Sequence, residues 1–457
     1  MRRDDSAGGP DDTIVALASA PGRGAIALVR VSGAEAFSIA ARHVNPWSSR
    51  PREARLCTIH DAGEALDEAL VTVFPGPDSF TGEDIVEIST HGGLLVPTSV
   101  IAALISSGAR QAFPGEFTRR AVTNGKLDML QAEAIGDLID AQSHAMRRAA
   151  LGQLDGGLSR RLLALREELI GLEALIAYDI DFPEEDDGPV PSERTAAAIQ
   201  SLSSSLERLL ATAPAGELIR EGTVVVIAGA PNVGKSSLFN ALVGRSRAIV
   251  TEIPGTTRDA IEAVIGGGTW PLRLVDTAGL RSTDDTVERM GIEVSERYLS
   301  EAHVVLACAD SYEGLEQTCH LIRAISTAPV LRVRTKSDLV SNGDRPPASE
   351  SEAILVSAED GTGLQNLLSA IDETLRKTYG EIVPDSPMLT SARHRHAIET
   401  AQSEVLQFER AWREDKLPAT VASVHLRAAV VSLEELIGTV DVEDVFDRVF
   451  SSFCVGK

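Results

Sequence analysis

Cysteine is scarce: Cys57, Cys308, Cys319 and Cys454 are the only four in the chain, too few and too unevenly spaced for a disulfide framework or a four-thiolate zinc site. A reducing cytoplasm is the expected setting. Long apolar runs are also missing. Even Thr223 to Ala230 falls far short of the roughly 18 residues of a membrane span, and Met1-Arg2-Arg3 leads into Asp4 and Asp5 rather than an apolar stretch. Neither a secretory leader nor a membrane anchor is therefore expected. Cys454, four residues from the end, formally resembles a prenylation box, but Gly456 is not aliphatic and no polybasic stretch precedes it, so prenylation is not expected. Positive charge is outnumbered as well, with 43 Lys and Arg against 67 Asp and Glu for a net charge of -24, which repels polyanions at long range. A nucleic acid would have to be met by a local basic cluster: Arg119-Arg120, Arg147-Arg148, Arg160-Arg161 or Arg393-His394-Arg395-His396. Each such cluster also fits an ordinary solvated helix face. No internal repeat is visible.

What is present fits a soluble multidomain protein. The 457 residues, 43% hydrophobic and 24% charged, are enough for roughly three folded units with real cores. Residues 1 to about 124 mix β-like runs (Ala25 to Val31, Ala69 to Phe74, Ile85 to Ile88) with a helix-like stretch from Val96 to Ser106, implying an α+β domain. From Leu127 the apolar spacing becomes helical: Leu127, Leu130, Ala134, Leu138 and Ala141, then Leu158, Leu162, Leu165, Leu169, Leu172 and Ile176, at steps of three and four. Phe182 to Pro189 reads as a loop, and helix resumes from Ser192 to Leu210. Strand-loop-helix alternation from Thr223 to about Tyr379 is the signature of a parallel sheet. The tail turns helical again, with Ile398, Ala401, Val405, Phe408 and Trp412 on one face. The economical reading is one helical domain, discontinuous in sequence, with an α/β domain inserted into it. The boundaries expected are 1–124, 125–216, 217–379 and 380–457; two separate helical domains are the alternative.

The inserted block carries a phosphate site. Gly229-Ala230-Pro231-Asn232-Val233-Gly234-Lys235-Ser236 follows an apolar strand and opens the helical run from Ser237 to Val243, the context that a P-loop requires. Its backbone amides suit phosphates, Lys235 the β and γ phosphates, and the Ser236 hydroxyl magnesium. Asp276-Thr277-Ala278-Gly279 ends the strand Leu272 to Val275, placing a carboxylate near the magnesium shell and a glycine amide at the γ-phosphate. Thr256 and Thr257 lie between the two and can offer the switch hydroxyl, within a nucleotide-contacting run expected over Thr251, Glu252, Ile253, Pro254, Gly255, Thr256 and Thr257. Thr335-Lys336-Ser337-Asp338 follows Val330 to Val333; the Asp338 carboxylate can accept from the guanine N1 and N2 hydrogens that adenine lacks, worth at least about 100-fold. Ser357-Ala358-Glu359 would close the base pocket. Singly each tetrapeptide is weak, but four in order, each after a strand, point to GTP.

Gly279 is followed by Leu280 rather than glutamine, and no lone arginine stands out as a finger. A bound cation can then meet the transition-state charge, with the Asn232 amide oxygen as one ligand. Glu288, on the helical run Val287 to Leu299, can orient water, although a solvated helix glutamate fits the same position.

These motifs, with Asp12-Thr13-Ile14-Val15-Ala16, Pro21-Gly22-Arg23-Gly24, Arg30-Val31-Ser32-Gly33, Thr81-Gly82-Glu83-Asp84, His91-Gly92-Gly93, Pro114-Gly115-Glu116-Phe117, Asn124-Gly125-Lys126-Leu127-Asp128, Pro254-Gly255-Thr256-Thr257-Arg258-Asp259 and Phe453-Cys454-Val455-Gly456-Lys457, resemble the tRNA wobble-uridine modification GTPases called MnmE or TrmE. The resemblance spans nearly the whole chain. It implies an α+β N-terminal folate-binding domain that dimerises, an all-α domain split in sequence, and an inserted Ras-like α/β P-loop GTPase domain whose switch loops dimerise around potassium. It also implies folate contacts at Arg30, Glu87, Lys126 and Lys457, potassium ligands at Asn232, Thr251, Ile253 and Thr256, magnesium ligands at Ser236 and Thr257, and a catalytic glutamate at Glu288. Ser237 is expected to join the nucleotide contacts. The implied reaction, run with an FAD-dependent partner in a heterotetramer, adds an aminomethyl or carboxymethylaminomethyl group to C5 of the wobble uridine. Its one-carbon unit comes from a 5-formyl or methylene tetrahydrofolate.

Cys454 reads alone as a buried small hydrophobe; the resemblance gives it a functional role, such as a thiolate adding to uridine C6, which requires a lowered pKa. Lys457 reads alone as tail. Three departures from the family pattern stand out: Thr335 in place of asparagine in the guanine motif, Ala25 where glycine is common, and an acidic extension over the first eleven residues. A reading of another class is a regulatory GTPase in ribosome or RNA assembly that modifies no RNA.

Overall fold

The computed structural model describes residues 12–47, 50–181, 192–245, 261–266, 268–277, 296–339, 353–380, 386–413, 419–438, 453 and 456. The chain folds as two compact units, residues 1–136 with 434–457, and residues 137–433.

In the first unit β1 (Ile14–Leu17), β2 (Ile26–Ser32), β3 (Val44–Asn45), β4 (Arg55–Asp61), β5 (Glu64–Phe74), β6 (Ile85–His91) and β7 (Arg110–Gln111) form one sheet in the order β3-β4-β5-β6-β2-β1-β7. Alternation sets the faces: Val29 and Val31 of β2, Val71 and Val73 of β5, and Val86 and Ile88 of β6 are buried. They pack with Ile39 of α1 (Ala36–Ala40) and with Val100 and Leu104 of α2 (Leu95–Ser106). The strands expected at Ala25, Ala69 and Ile85 and the helix from Val96 are all present. The β4–β5 hairpin was not expected, because Ala65, Asp67 and Glu68 dilute its apolar pattern; its turn places Ala62 at φ 47 and Gly63 at φ 87, the left-handed pair that matches strand twist. Helices α3 (Glu116–Thr123) and α4 (Met129–Asp140) follow. Phe453 packs beside Met129, Ala132 and Val122. Gly456, at φ +101, is so close to Leu17 that a Cβ would lie 2.1 Å from its carbonyl oxygen. At this residue the tail is docked rather than free.

The second unit begins with α5 (His144–Leu154), α6 (Gly157–Asp181), α7 (Ser192–Leu210) and α8 (Ala213–Glu221). The periodic series of α6 is its buried stripe: Leu158, Leu162, Leu165, Leu169, Leu172 and Ile176 are all buried, as the 3.6-residue period requires. Helix α7 packs on α6. The sheet that follows comprises β8 (Thr223–Gly229), β9 (Ile261–Ile265), β10 (Leu272–Asp276), β11 (Val304–Ala309), β12 (Val330–Arg334) and β13 (Ile354–Leu355), in the order β13-β12-β11-β8-β10-β9. It is mixed, not wholly parallel: β9 runs antiparallel to β10, because the few residues between them allow only a hairpin. Every residue of β8 is buried. Its Val225 and Ile227 face α9 (Lys235–Arg245) and α11 (Leu364–Tyr379), and its Val224, Val226 and Ala228 face α10 (Tyr312–Ile325). Helices α12 (Ala392–Arg413) and α13 (Ala419–Ile437) close the list. In α12, Ile398, Ala401, Val405 and Phe408 are buried, and α12 packs on α7. The loop expected at Phe182 to Pro189 lies outside the described residues.

Candidate nucleotide and folate sites

The phosphate loop sits where β8 ends and α9 begins. Gly229 is required there, since a Cβ would lie 2.2 Å from the Cys308 carbonyl oxygen of β11. Asn232 (φ 65) and Gly234 (φ 97) take left-handed conformations, turning successive amides toward one point, the geometry that binds phosphate. Lys235 is 7% exposed, and its ammonium donates to the Ala230 carbonyl at 3.0 Å, a bond within its own loop. Burial pushes this amine below the ordinary lysine range, against the opposing pull of Asp276. Behind it, burial pushes the Cys308 thiol up to about 12.

Asp276 ends β10 beside Ile227 of β8. Burial pushes its carboxyl up, opposed by a hydrogen bond from the Ser236 hydroxyl and by the Lys235 charge. Its Oδ1 is buried with no hydrogen-bond partner among the described residues. A carboxylate oxygen left uncommitted beside a serine hydroxyl at a phosphate loop fits magnesium, a hard cation that takes oxygen donors. Thr277 is fixed by its hydroxyl, which donates to the Ile227 carbonyl at 2.9 Å. Ser237 is exposed in the first turn of α9.

The guanine motif is fastened to the phosphate loop. The Thr335 hydroxyl donates to the Val233 carbonyl, and Lys336, at φ 56, donates to the Asn232 carbonyl at 2.9 Å and pairs with Asp310 at 3.3 Å. Asp338 is exposed on a 3-10 turn, Ser337–Leu339. The Ser337 amide donates to the Val356 carbonyl at 3.1 Å, bringing Ser357 and Ala358 beside it. Ser357 is buried, and its hydroxyl oxygen accepts from the Glu359 and Asp360 amides at 3.3 and 3.4 Å. Thus Asn232, Val233, Gly234, Lys235, Ser236, Asp276, Thr277, Thr335, Lys336, Asp338, Ser357 and Ala358 line one edge of the sheet. Thr251, Glu252, Ile253, Pro254, Gly255, Thr256, Thr257, Ala278, Gly279, Glu288, Cys454 and Lys457 lie outside the described residues.

In the other unit, Arg30 of β2 stands opposite Glu87 of β6 and donates to one of its carboxylate oxygens through Nε and Nη2 at 2.9 and 2.7 Å. The guanidinium lies 5.5 Å from the Phe80 ring centroid and 5.8 Å from that of Phe117, a contact that favours the cation. Lys126 is exposed, its Cγ near Gly82. A cation–carboxylate pair beside an aromatic ring can hold a flat heterocycle by its donor edge, and an exposed lysine can hold an acidic tail.

Several contacts were not legible beforehand. Arg120 belongs to a buried ionic chain: it donates to Glu83 at 3.0 and 3.1 Å and to Glu116 at 3.0 Å, while Arg110 donates to Glu116 at 2.7 and 3.0 Å. This corrects the Arg119-Arg120 cluster as a nucleic-acid surface, since one of its two charges is interior. In the Arg393 to His396 cluster, His394 is buried and Arg395 pairs with Glu217 at 3.3 Å. Arg147, Arg148 and Arg160 remain exposed. Partners 37 residues apart in sequence leave no periodic signal; the clustering of Glu83 and Glu116 within recognisable motifs was the only hint.

Comparison with known proteins gives consistent relatives. A family model described as the MnmE helical domain matches residues 129–454, and one described as the N-terminus of the GTP-binding protein TrmE matches residues 13–126. The tRNA modification GTPase MnmE of Moorella thermoacetica is 41% identical over 463 residues, covering 98% of this chain and 100% of the relative. That of Akkermansia muciniphila is 41% identical over 453 residues, covering 98% and 99%. That of Aquifex aeolicus is 38% identical over 449 residues, covering 98% and 100%.

Proposed function

The chain belongs to the MnmE/TrmE family of tRNA modification GTPases, and from that membership we propose how its sites divide the work. The protein binds and hydrolyses GTP in the service of tRNA modification. In the finer reading, hydrolysis is potassium-dependent and accompanies C5 modification of the wobble uridine, performed with an FAD-dependent partner and a tetrahydrofolate one-carbon donor. The protein acts as a homodimer, with domains at 1–124, 125–216, 217–379 and 380–457.

The single observation that carries the nucleotide chemistry is the buried Oδ1 of Asp276, which has no hydrogen-bond partner among the described residues, beside Ser236 and Lys235. Magnesium held by Ser236 and Thr257, with Asp276 behind them, would neutralise charge on the β and γ phosphates. Lys235 meets those phosphates, whose negative charge offsets the desolvation that lowers its pKa. Asn232, whose carbonyl is held by Lys336, leaves its side-chain amide for a potassium ion that Thr251, Ile253 and Thr256 would complete. Glu288 orients the attacking water. Arg30, Glu87, Lys126 and Lys457 hold the folate, and Cys454 acts at the uridine. The exposed Arg147-Arg148 and Arg160 side suits the tRNA backbone.

The test is GTP turnover in potassium against sodium at equal ionic strength, with Asn232→Ala and Glu288→Ala beside the parent. Fast turnover in potassium alone, lost in both variants, is expected. Equal slow turnover in both salts would remove the cation from the mechanism and favour a switch GTPase that modifies no RNA.

A further inference from the structure

The threonine of the guanine motif has every proton it owns committed. Thr335 is 3% exposed. Its main-chain amide donates to the Ala309 carbonyl at 2.9 Å, and its hydroxyl, which has one hydrogen, donates to the Val233 carbonyl of the phosphate loop. The Ala309 carbonyl also lies 3.2 Å from that hydroxyl, so rotating the hydrogen only exchanges one carbonyl for another. A hydroxyl can donate once, whereas a side-chain amide carries two N–H groups. The neighbouring ammonium of Lys336 is directed at Asn232 and Asp310.

The position of Thr335 decides which part of a purine passes it. On the reading that places the phosphates at residues 230–236 and the N1/N2 edge of guanine at Asp338, the five-membered ring, which carries the ribose at N9 and the acceptor N7, lies between them. Thr335 bridges the same two places through its bond to Val233. We propose that Thr335 makes this nucleotide pocket indifferent to purine N7, so that guanine is selected by its N1/N2 edge through Asp338 without a hydrogen bond to the imidazole ring. The threonine keeps the fastening between base loop and phosphate loop and gives up the donor that would read N7. This rests on the reading of Asp338 as the base-edge acceptor.

Full-length protein is titrated with GTP and with 7-deaza-GTP, in which N7 is replaced by C–H. The parent binds both with affinities within about two-fold, because no buried donor is left unpaired. Thr335→Asn supplies an N–H and now favours GTP over 7-deaza-GTP by about 3- to 10-fold. Thr335→Val strips the donor from Val233 and weakens both nucleotides by one common factor. Asp338→Asn moves base preference from GTP toward XTP, which locates the base independently. A parent that binds 7-deaza-GTP about 5-fold or more weakly than GTP overturns the inference, as does a Thr335→Asn protein that shows no discrimination. If Asp338→Asn leaves GTP preferred over XTP, the base does not lie at Asp338 and the premise itself falls, whatever the 7-deaza result.

Discussion

Replacing Arg120 by methionine is the sharpest probe of the N-terminal unit. Arg120 is 8% exposed and donates three hydrogen bonds to two carboxylates. After Arg120→Met, Glu116 keeps both bonds from Arg110 and one from the Phe113 amide, so the charge left uncompensated is that of Glu83, whose side chain is 20% exposed. Breaking a buried pair by removing one partner costs about 3–5 kcal/mol; the partial exposure of Glu83 places the expected loss at about 2–4 kcal/mol. Glu83→Gln removes that charge while keeping an acceptor for Ser32, which lies 2.7 Å away. The double variant should therefore be more stable than Arg120→Met alone, with a coupling of about 1–3 kcal/mol. Trp47, 6.2 Å from Phe37 in the same unit, reports it in urea titrations once Trp270 and Trp412 are changed to phenylalanine. With a slope of about 1–3 kcal/mol per molar urea, the midpoint for Arg120→Met falls by roughly 1–2 M. An unchanged midpoint, or a double variant less stable than Arg120→Met, would refute the reasoning. Because residues 80–83 carry Phe80 against Arg30 and Gly82 against Lys126, the same variant is expected to weaken 5-formyltetrahydrofolate binding.

Acid should loosen the same network. Burial alone would raise the Glu116 carboxyl, but hydrogen bonds from Arg110, the Phe113 amide and Arg120 outweigh it and hold the group below its ordinary value. Its contribution is therefore complete above the unfolded glutamate value of about 4.3 and disappears as pH falls through the lower folded value; Trp47-detected midpoints between pH 6 and 3 should show that fall, flattened in Glu116→Gln. Gly229→Ala should abolish nucleotide binding or soluble expression, because its Cβ meets backbone of β11 at 2.2 Å. Gly244→Ala, with nothing within 4 Å, should leave GTP affinity unchanged in the same binding assay. Burial raises the thiols of Cys57 and Cys319 and pushes that of Cys308 up to about 12, so iodoacetamide at pH 8 should leave all three unmodified in native protein and alkylate them in urea, as read by peptide mass mapping.

The regular elements were largely legible because burial on one side imposes a period. The α6 stripe from Leu158 to Ile176, the α12 stripe from Ile398 to Phe408, and strands β8, β10 and β12 follow directly from apolar spacing. Strand β4 did not, since a half-exposed strand carries charges that blur the alternation, and β9 did not because its run is short and its described residues Ala263, Val264 and Ile265 are all buried, leaving no alternation to read. The phosphate motif was legible for a local reason: its glycines, lysine and serine must be consecutive for one loop to surround an anion.

Contacts between distant segments were decided only in three dimensions. That Thr335 would use its hydroxyl on Val233, 102 residues away, follows from β12 emerging one strand removed from β8, separated only by β11. Arg120 read as surface charge because its helix is polar on most sides; only the folded unit sets it against Glu83 and Glu116, where burial favours a fully hydrogen-bonded pair. Lys457 read alone as tail, yet Gly456 just before it lies against Leu17, a position that no local pattern encodes. The sequence by itself determined most of the elements and the consecutive phosphate-loop motif, because those depend on neighbours along the chain. The tertiary structure alone decided which side chains share a proton or a charge, because hydrogen bonds and ion pairs depend on distance in space rather than on separation in sequence.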